Sequence, residues 1–409
     1  MTPVPSVGSE GYSSVLRIPW ARGVFAAALL GRFAFALIPL SAVFTFHERT
    51  GSFSTAGLAI AAYGLTTITL PFKARLVDRH GQFRALLPLA ALSALCIGGA
   101  ASITGSTDFP VLLSIALFVT GGAAVPPLGP AMRSNWRAMT ADSPDRKQAA
   151  YALDSTCEEV LFLAGPLTVG ILITVLPAWV GLAGAAVVLV AGTSAMIAAE
   201  PIRRGTWEVH DTAPPHRRIR TVTARPIPGL FAVLVAISAL AAGVSIVYIS
   251  VAELATAQGH PSAAGYIESG MVAASVVGGL IWGKLNLATS SRPIQLGGLS
   301  AALAVAVSGT AALADTLWGV AAGLFVAGLA VAPSFITAYL AADELAPESR
   351  RSEASSWVNT AYNLGAAFGA AGAGLLVDRV GGQSGLVLSA AILAVGVLAL
   401  TLLSTPGRW

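Results

Sequence analysis

Charge is what this sequence has least of. Only 11% of its 409 residues are Asp, Glu, Lys or Arg, against about 25% in ordinary soluble chains. So few charges cannot cover a folded chain of this length unless lipid forms part of its surroundings. Cysteine is scarce as well. Cys96 and Cys157 both fall in apolar stretches, which excludes a disulfide framework and a cysteine metal site. Histidines stand only at 47, 80, 210, 216 and 260. All five are expected in loops, and they show no metal-ligand spacing. A Gly-x-x-x-x-Gly-Lys-Ser/Thr run is missing, so no nucleotide-driven motor is expected. No catalytic residue, cofactor or metal is expected either.

Apolar residues make up 55% of the chain and glycine contributes 43 residues; the mean hydropathy is +0.75. A membrane-spanning helix needs about 20 mostly apolar residues. Runs that meet this cover 23–44, 53–77, 85–104, 110–131, 149–176 and 178–199. After a polar stretch they resume at 229–252, 262–284, 293–312, 316–341, 353–377 and 384–403. Abundant small residues suit close helix packing in lipid. The expected fold class is an all-α membrane protein of twelve transmembrane helices in two six-helix bundles. Its parts would be an N-terminal tail (1–22), a first bundle (23–199), a linker (200–228), a second bundle (229–403) and a C-terminal tail (404–409). The polar N-terminus lacks the pattern of a cleavable signal, so the first run is expected to act as an uncleaved anchor.

The net charge of +4 would suggest nucleic acid in a soluble chain. Here topology explains it better. With the N-terminus inside, all but three of the 24 basic residues fall in cytoplasmic segments; the exceptions are Arg49 and Arg379 outside and Arg32 within the first run. This bias places both termini inside and agrees with an even number of crossings. The basic linker with Arg217, Arg218 and Arg220 reads as a flexible connection that can lie on anionic lipid.

The halves echo one another. Shifted by 204 positions, Arg146-Lys147 falls on Arg350-Arg351, Ala150 on Ala354, Gly165 on Gly369 and Gly170 on Gly374. Corresponding helices in two six-helix halves are the mark of an internally repeated transporter.

Between the second and third runs stands Ala74-Arg75-Leu76-Val77-Asp78-Arg79-His80-Gly81-Gln82-Phe83-Arg84. Gly81 allows a sharp turn, and Asp78 can pair with a basic residue or a neighbouring helix N-terminus. Such a pair can latch one conformation and release in another. This loop resembles the Gly-x-x-x-Asp-Arg-x-Gly-Arg-Arg/Lys signature of the major facilitator superfamily. Asp78, Arg79 and Gly81 match, with Arg84 just beyond; Ala74, Gln82 and Phe83 depart from it. In the fifth run Gly165-Pro166-Leu167-Thr168-Val169-Gly170 resembles the family's antiporter motif, Gly-x-x-x-Gly-Pro-x-x-Gly-Gly, with Leu161 and Val169 replacing two glycines. Pro166 frees a carbonyl and can kink the helix, making Gly165, Pro166 and Gly170 a hinge candidate.

Charges inside spans are costly and are functional candidates by default. Asp154, Glu158 and Glu159 lie in the fifth run, Arg32 in the first and Glu268 early in the eighth. Asp154 and Glu158 share a helix face. Glu158 and Arg32 each lie nine residues past the assigned start of their run, so they reach similar depth, roughly 13 Å. Arg32 is expected to pair with one of these acids, and one Arg cannot neutralise three carboxyls, so at least one is expected to take up a proton. Asp154 is expected to be partly hydrated. Tyr63, Tyr248, Trp357, Asn359, Tyr362 and Asn363 are cavity candidates.

The resemblance implies a bacterial drug-efflux-like transporter in the cytoplasmic (inner) membrane. It would be a monomer that moves a small, partly apolar molecule by alternating access, coupled to protons, with no nucleic-acid partner. A bacterial source also fits the coding bias, since only Lys73, Lys147 and Lys284 among the basic residues are lysine. Two alternatives stay open: a facilitator or symporter for a sugar or other metabolite, and a non-transporting receptor or assembly factor on the same fold.

Overall fold

The computed structural model describes residues 12–104, 109–207, 229–284, 291–347 and 350–403. Most of the expected linker, with Arg217, Arg218 and Arg220, both chain ends and residues 285–290 lie outside the described residues.

Every regular element among the described residues is helical. In order they are α1 (Tyr12–Leu16), α2 (Ala21–Thr50), α3 (Phe53–Leu65), a 3-10 turn (Thr66–Thr69), α4 (Leu70–His80), α5 (Gln82–Thr104), α6 (Val111–Ala124) and α7 (Leu128–Met139). Then come α8 (Pro144–Leu172), α9 (Trp179–Ile197), α10 (Glu200–Arg203), α11 (Leu230–Ala257), α12 (Ala263–Lys284), α13 (Arg292–Ala312), α14 (Leu317–Gly328), α15 (Val331–Leu345) and α16 (Arg351–Leu403). Local chemistry sets several starts. Ser52 accepts the Thr55 N–H before α3, and Ser143 accepts the Arg146 N–H before α8, where Pro144 needs no donor of its own.

Among the described residues, eleven helical stretches are long and apolar enough to cross a membrane. Three of them are broken where unbroken runs were expected. The stretch 53–80 is interrupted at Thr66–Thr69. Hydroxyls of Thr66, Thr67 and Thr69 bond back to the carbonyls of Tyr63, Gly64 and Thr66, and Pro71 supplies no N–H, so the backbone tightens there. The stretch 111–139 breaks at Val125-Pro126-Pro127, because adjacent prolines remove two donors, and α7 then runs well past the expected end at 131. The stretch 317–345 breaks after Gly328. Two histidines also depart from expectation: His47 sits in the last turn of α2, stacked on Phe53 at 3.9 Å between ring centres, and His80 closes α4.

α16 contains a non-helical residue, Gly381, at φ 80° and ψ 166°. Before it, Gly365 and Gly369 pack against Ser238 and Ala242 of α11. After it, Ser389 bonds the Gly243 carbonyl and Gly396 packs against Ala239. The chain thus ascends α11, reverses at Gly381 and returns along it. α11 and α2 are the most enclosed of the long helices. By contrast, Leu95, Leu112, Val175, Trp318 and Leu402 stand largely uncovered. An apolar outer surface of this extent suits acyl chains and not water.

The shifted glycines make equivalent contacts. Gly165 of α8 lies against the Ala36 backbone of α2, and Gly369 of α16 lies against the Ala242 backbone of α11. Gly170 meets Ser262 and Gly265 at the start of α12; Gly374 meets Phe53 and Ser54 at the start of α3. An added Cβ at any of the four would collide with backbone, so the internal repeat is a repeat of helix contacts.

Candidate functional site

α2 and α8 run parallel, with Ala36 beside Gly165 and Arg32 facing two carboxylates, Glu158 and Asp154, about two and three turns before Gly165 along α8. The Arg32 Nη2 donates to the Asp154 Oδ1 at 2.6 Å, and both side chains are 2% exposed. Nη1 lies 3.7 Å from the Glu158 Oε1, whose side chain is 34% exposed. The expected depth match thus brings three of the charged residues together. Asp154 is sealed off instead of partly hydrated, because Arg32 covers it. Nε of Arg32 is buried and has no hydrogen-bond partner among the described residues.

A cavity of about 210 Å³ opens beside this cluster. Arg32 and Phe35 of α2, Tyr63 of α3, Lys73 of α4, Glu158 of α8 and the break before α7 form its wall. Tyr63 stacks on Phe118 at 4.7 Å, and Gly122 leaves room for its ring. Lys73 falls within the expected run 53–77 and counts with the cytoplasmic segments in the charge bias. It sits inside α4 at 8% exposure, and it makes no ion pair or hydrogen bond with the described residues. Hydropathy and charge counting carried no signal for this inward turn.

The other candidates gather elsewhere. Glu268 of α12 is 4% exposed, and its Oε1 has no partner among the described residues. Glu268, Glu159 and Tyr362 lie within electrostatic reach of the Tyr248 hydroxyl of α11, and Glu159 adjoins Glu158 of the Arg32 cluster. The Tyr362 ring meets Phe335 edge-on at 4.8 Å. Asn363 donates to the Asn359 Oδ1 at 2.8 Å along α16, and Trp357 is exposed. The hinge candidate lies where α8 touches both α2 and α12. Gly165 faces the former and Gly170 the latter, while Ser269 of α12 donates to the Leu163 carbonyl at 3.0 Å just before Pro166.

In the signature loop, Gly81 ends α4 at φ 81° and ψ 157°, a conformation open essentially to glycine alone. Asp78, Arg79 and Arg84 are exposed, and Asp78 makes no hydrogen bond or ion pair with the described residues. The departing residue Gln82 is buried and exchanges hydrogen bonds with the Asn135 amide, at 2.9 and 3.1 Å. A basic side chain would not fit that amide pair.

A second aspartate was overlooked. Leu376-Val377-Asp378-Arg379-Val380-Gly381 repeats Leu76-Val77-Asp78-Arg79-His80-Gly81 in all but one residue, and Gly381 shares the backbone angles of Gly81. Asp378 is fully engaged. It accepts from the Ser52 hydroxyl at 2.6 Å and from the Phe53 and Ser54 N–H groups at 2.6 and 2.8 Å. Those residues open α3, at the far end of the 53–80 stretch from Asp78. The repeated hexapeptide was the signal that would have found it.

Comparison with known proteins completes the picture. The model of the Major Facilitator Superfamily matches residues 23–370 and 231–409. No curated protein matches the chain in sequence. Among solved structures, the nucleoside transporter NupG is similar with a TM-score of 0.71 at 12% identity, over 94% of this chain and 99% of that one. A bacterial homologue of the iron transporter ferroportin, in its inward-facing state, gives a TM-score of 0.68 at 15% identity, over 96% and 99%. A POT family transporter in complex with a thioalcohol-conjugated peptide gives 0.64 at 13%, over 94% and 95%. Fold, apolar surface and sequence pattern agree: the chain is a multi-pass membrane protein that belongs to the Major Facilitator Superfamily of transporters.

Proposed function

We propose that the chain is a proton-coupled secondary transporter that exports a small, partly apolar molecule by alternating access. It crosses a bacterial inner membrane twelve times as two six-helix bundles (23–199 and 229–403), joined by the linker 200–228, as a monomer with both termini cytoplasmic. The observation that carries the coupling is the Arg32–Asp154–Glu158 cluster. One guanidinium faces two carboxylates, Asp154 takes the short bond, and Glu158 is left 3.7 Å away on the cavity wall. Glu158 is therefore the group that exchanges a proton, while Asp154 holds Arg32 in place. Binding a proton there changes the charge that substrate meets, which is how one site can couple two fluxes.

Alternating access is supported by where the two parts of the chain meet. Asp378 on α3, Gly374 on Ser54, and Gly170 on Gly265 all lie at the end of the molecule remote from Asp78. Asp378 latches the outer side in this state, and Asp78 is free to latch the inner side in the opposite one. Proteoliposomes with an imposed pH gradient test the proposal. Export should stop with a protonophore and in Glu158→Gln. Transport that persists in both defeats proton coupling. The direction of the pH change on adding substrate separates export from symport, and binding without counterflow would mark a receptor.

A further inference from the structure

The wall of the 210 Å³ cavity carries an unusual excess of positive charge. Lys73, Arg133 and Arg32 line it with Glu158; Arg32 is already paired with Asp154 and faces Glu158, so Lys73 and Arg133 are the charges left over. Lys73 is nine-tenths buried and makes no bond with the described residues. The Arg32 Nε is likewise buried and unsatisfied. At the rim, the Arg133 guanidinium folds back over Gly129. The break at Val125-Pro126-Pro127 adds a fourth contribution, since it starts α7 at the cavity: Leu128 and Gly129, the first helical residues, are part of the lining. In this first turn the Leu128 N–H bonds the Pro126 carbonyl and Pro130 has none, so the Gly129 N–H is the donor the turn has to offer, at the positive end of the helix. An ammonium held inside a membrane-spanning segment without a counter-ion is costly. It is retained at lower cost when the counter-ion arrives with a ligand.

We infer that this cavity binds the anionic head of the transported molecule, a carboxylate or a phosphate, between Lys73, Arg133 and the first turn of α7. The space is too small for a whole drug-sized ligand, which occupies about 300 Å³ or more. It fits a charged head with a few carbons, so the apolar remainder extends past Phe35 and Tyr63 toward the centre of the molecule. The substrate class is an amphipathic organic anion. This inference rests on the transport reading only in taking the cavity as the place where substrate sits.

The test uses the full chain in phosphatidylcholine nanodiscs with four probes of similar size: benzoate, phenyl phosphate, benzyl alcohol and benzylammonium. Benzoate and phenyl phosphate should raise the melting temperature and bind more weakly as salt is raised, while the neutral and cationic probes should not bind. Lys73→Met should weaken benzoate binding by about tenfold or more, Lys73→Arg should largely restore it, and Arg133→Gln, at the rim, should cost only a few-fold. Benzylammonium binding as well as benzoate overturns the inference, and needs no variant that might fail to fold. Unchanged benzoate affinity in a folded Lys73→Met protein overturns it equally. Adding phosphatidylglycerol should leave benzoate affinity unaltered; competitive loss would assign the cavity to a lipid headgroup instead. Proton-coupled flux of benzylammonium would sink the substrate class and leave transport standing. Lys73-dependent benzoate binding without flux of any probe would sink transport and leave the anion site standing.

Discussion

The Phe53 N–H donates to the Asp378 carboxylate at 2.6 Å, although the two residues come from opposite ends of the chain. Asp378 thereby acts as the cap of α3 from outside its own sequence. Its sibling in the repeated hexapeptide, Asp78, is exposed and bonds to none of the described residues. The proposed alternating access calls for such an asymmetry, one side being closed at a time.

Removing the cap should loosen that side. A charged acceptor serving two backbone N–H groups and a hydroxyl contributes about 2 kcal/mol, which is roughly a 30-fold shift in a two-state equilibrium. Spin labels at Phe109 and Val380, both exposed, report the separation. Asp378→Ala should move the distance distribution outward, and an unchanged distribution would mean the cap does not control opening.

The buried pair should be far more sensitive to one loss than to two. Asp154→Asn leaves Arg32 charged and poorly matched in the interior, at a cost of about 3–5 kcal/mol. Arg32→Met combined with Asp154→Leu should recover most of that melting temperature while abolishing coupling. Glu158→Gln, at longer range and partly exposed, should melt close to the parent. Equal loss in all three would contradict the division of roles between the two acids.

Glycine substitutions should differ in sign by position. Gly298 has open space where a Cβ would go, so Gly298→Ala should stabilise by about 0.5–1 kcal/mol through helix propensity. Gly165→Ala and Gly265→Ala should destabilise, because the new methyl meets the Ala36 or Pro166 carbonyl. Melting of the purified variants decides it.

Restoring the family's basic residue at position 82 should harm this protein. Gln82→Arg would break the reciprocal amide pair with Asn135 and leave a charge in a closed space, a penalty of several kcal/mol unless the helices separate. A variant that folds and melts like the parent would show that the amide pair carries no weight.

Much of this architecture was legible beforehand. Hydropathy located the helical stretches, since lipid imposes a length and a composition on each. The depth argument paired Arg32 with the α8 acids, since parallel helices rising at one pitch keep equal residue counts at equal depth. Hydropathy alone hid the breaks, because it averages Thr66–Thr69 and Pro126-Pro127 with their apolar neighbours, although paired prolines that cannot donate mark one of them. The inward turn of Lys73 was not legible, since it depends on the rotation of α4 after its 3-10 turn. Asp378 could have been found by comparing the chain with itself at more than one offset.

Where Gly170 and Gly265 meet, main chain lies on main chain with no side chains meshing between them. Such a surface has no teeth. Backbone on backbone lets the two helices approach closely, with the Ser269–Leu163 bond as a side-chain tie nearby, and leaves rotation about the point of contact less hindered than meshed side chains would. Adding bulk there would act as a wedge, and its first symptom would be a changed tilt between neighbours that remain in touch.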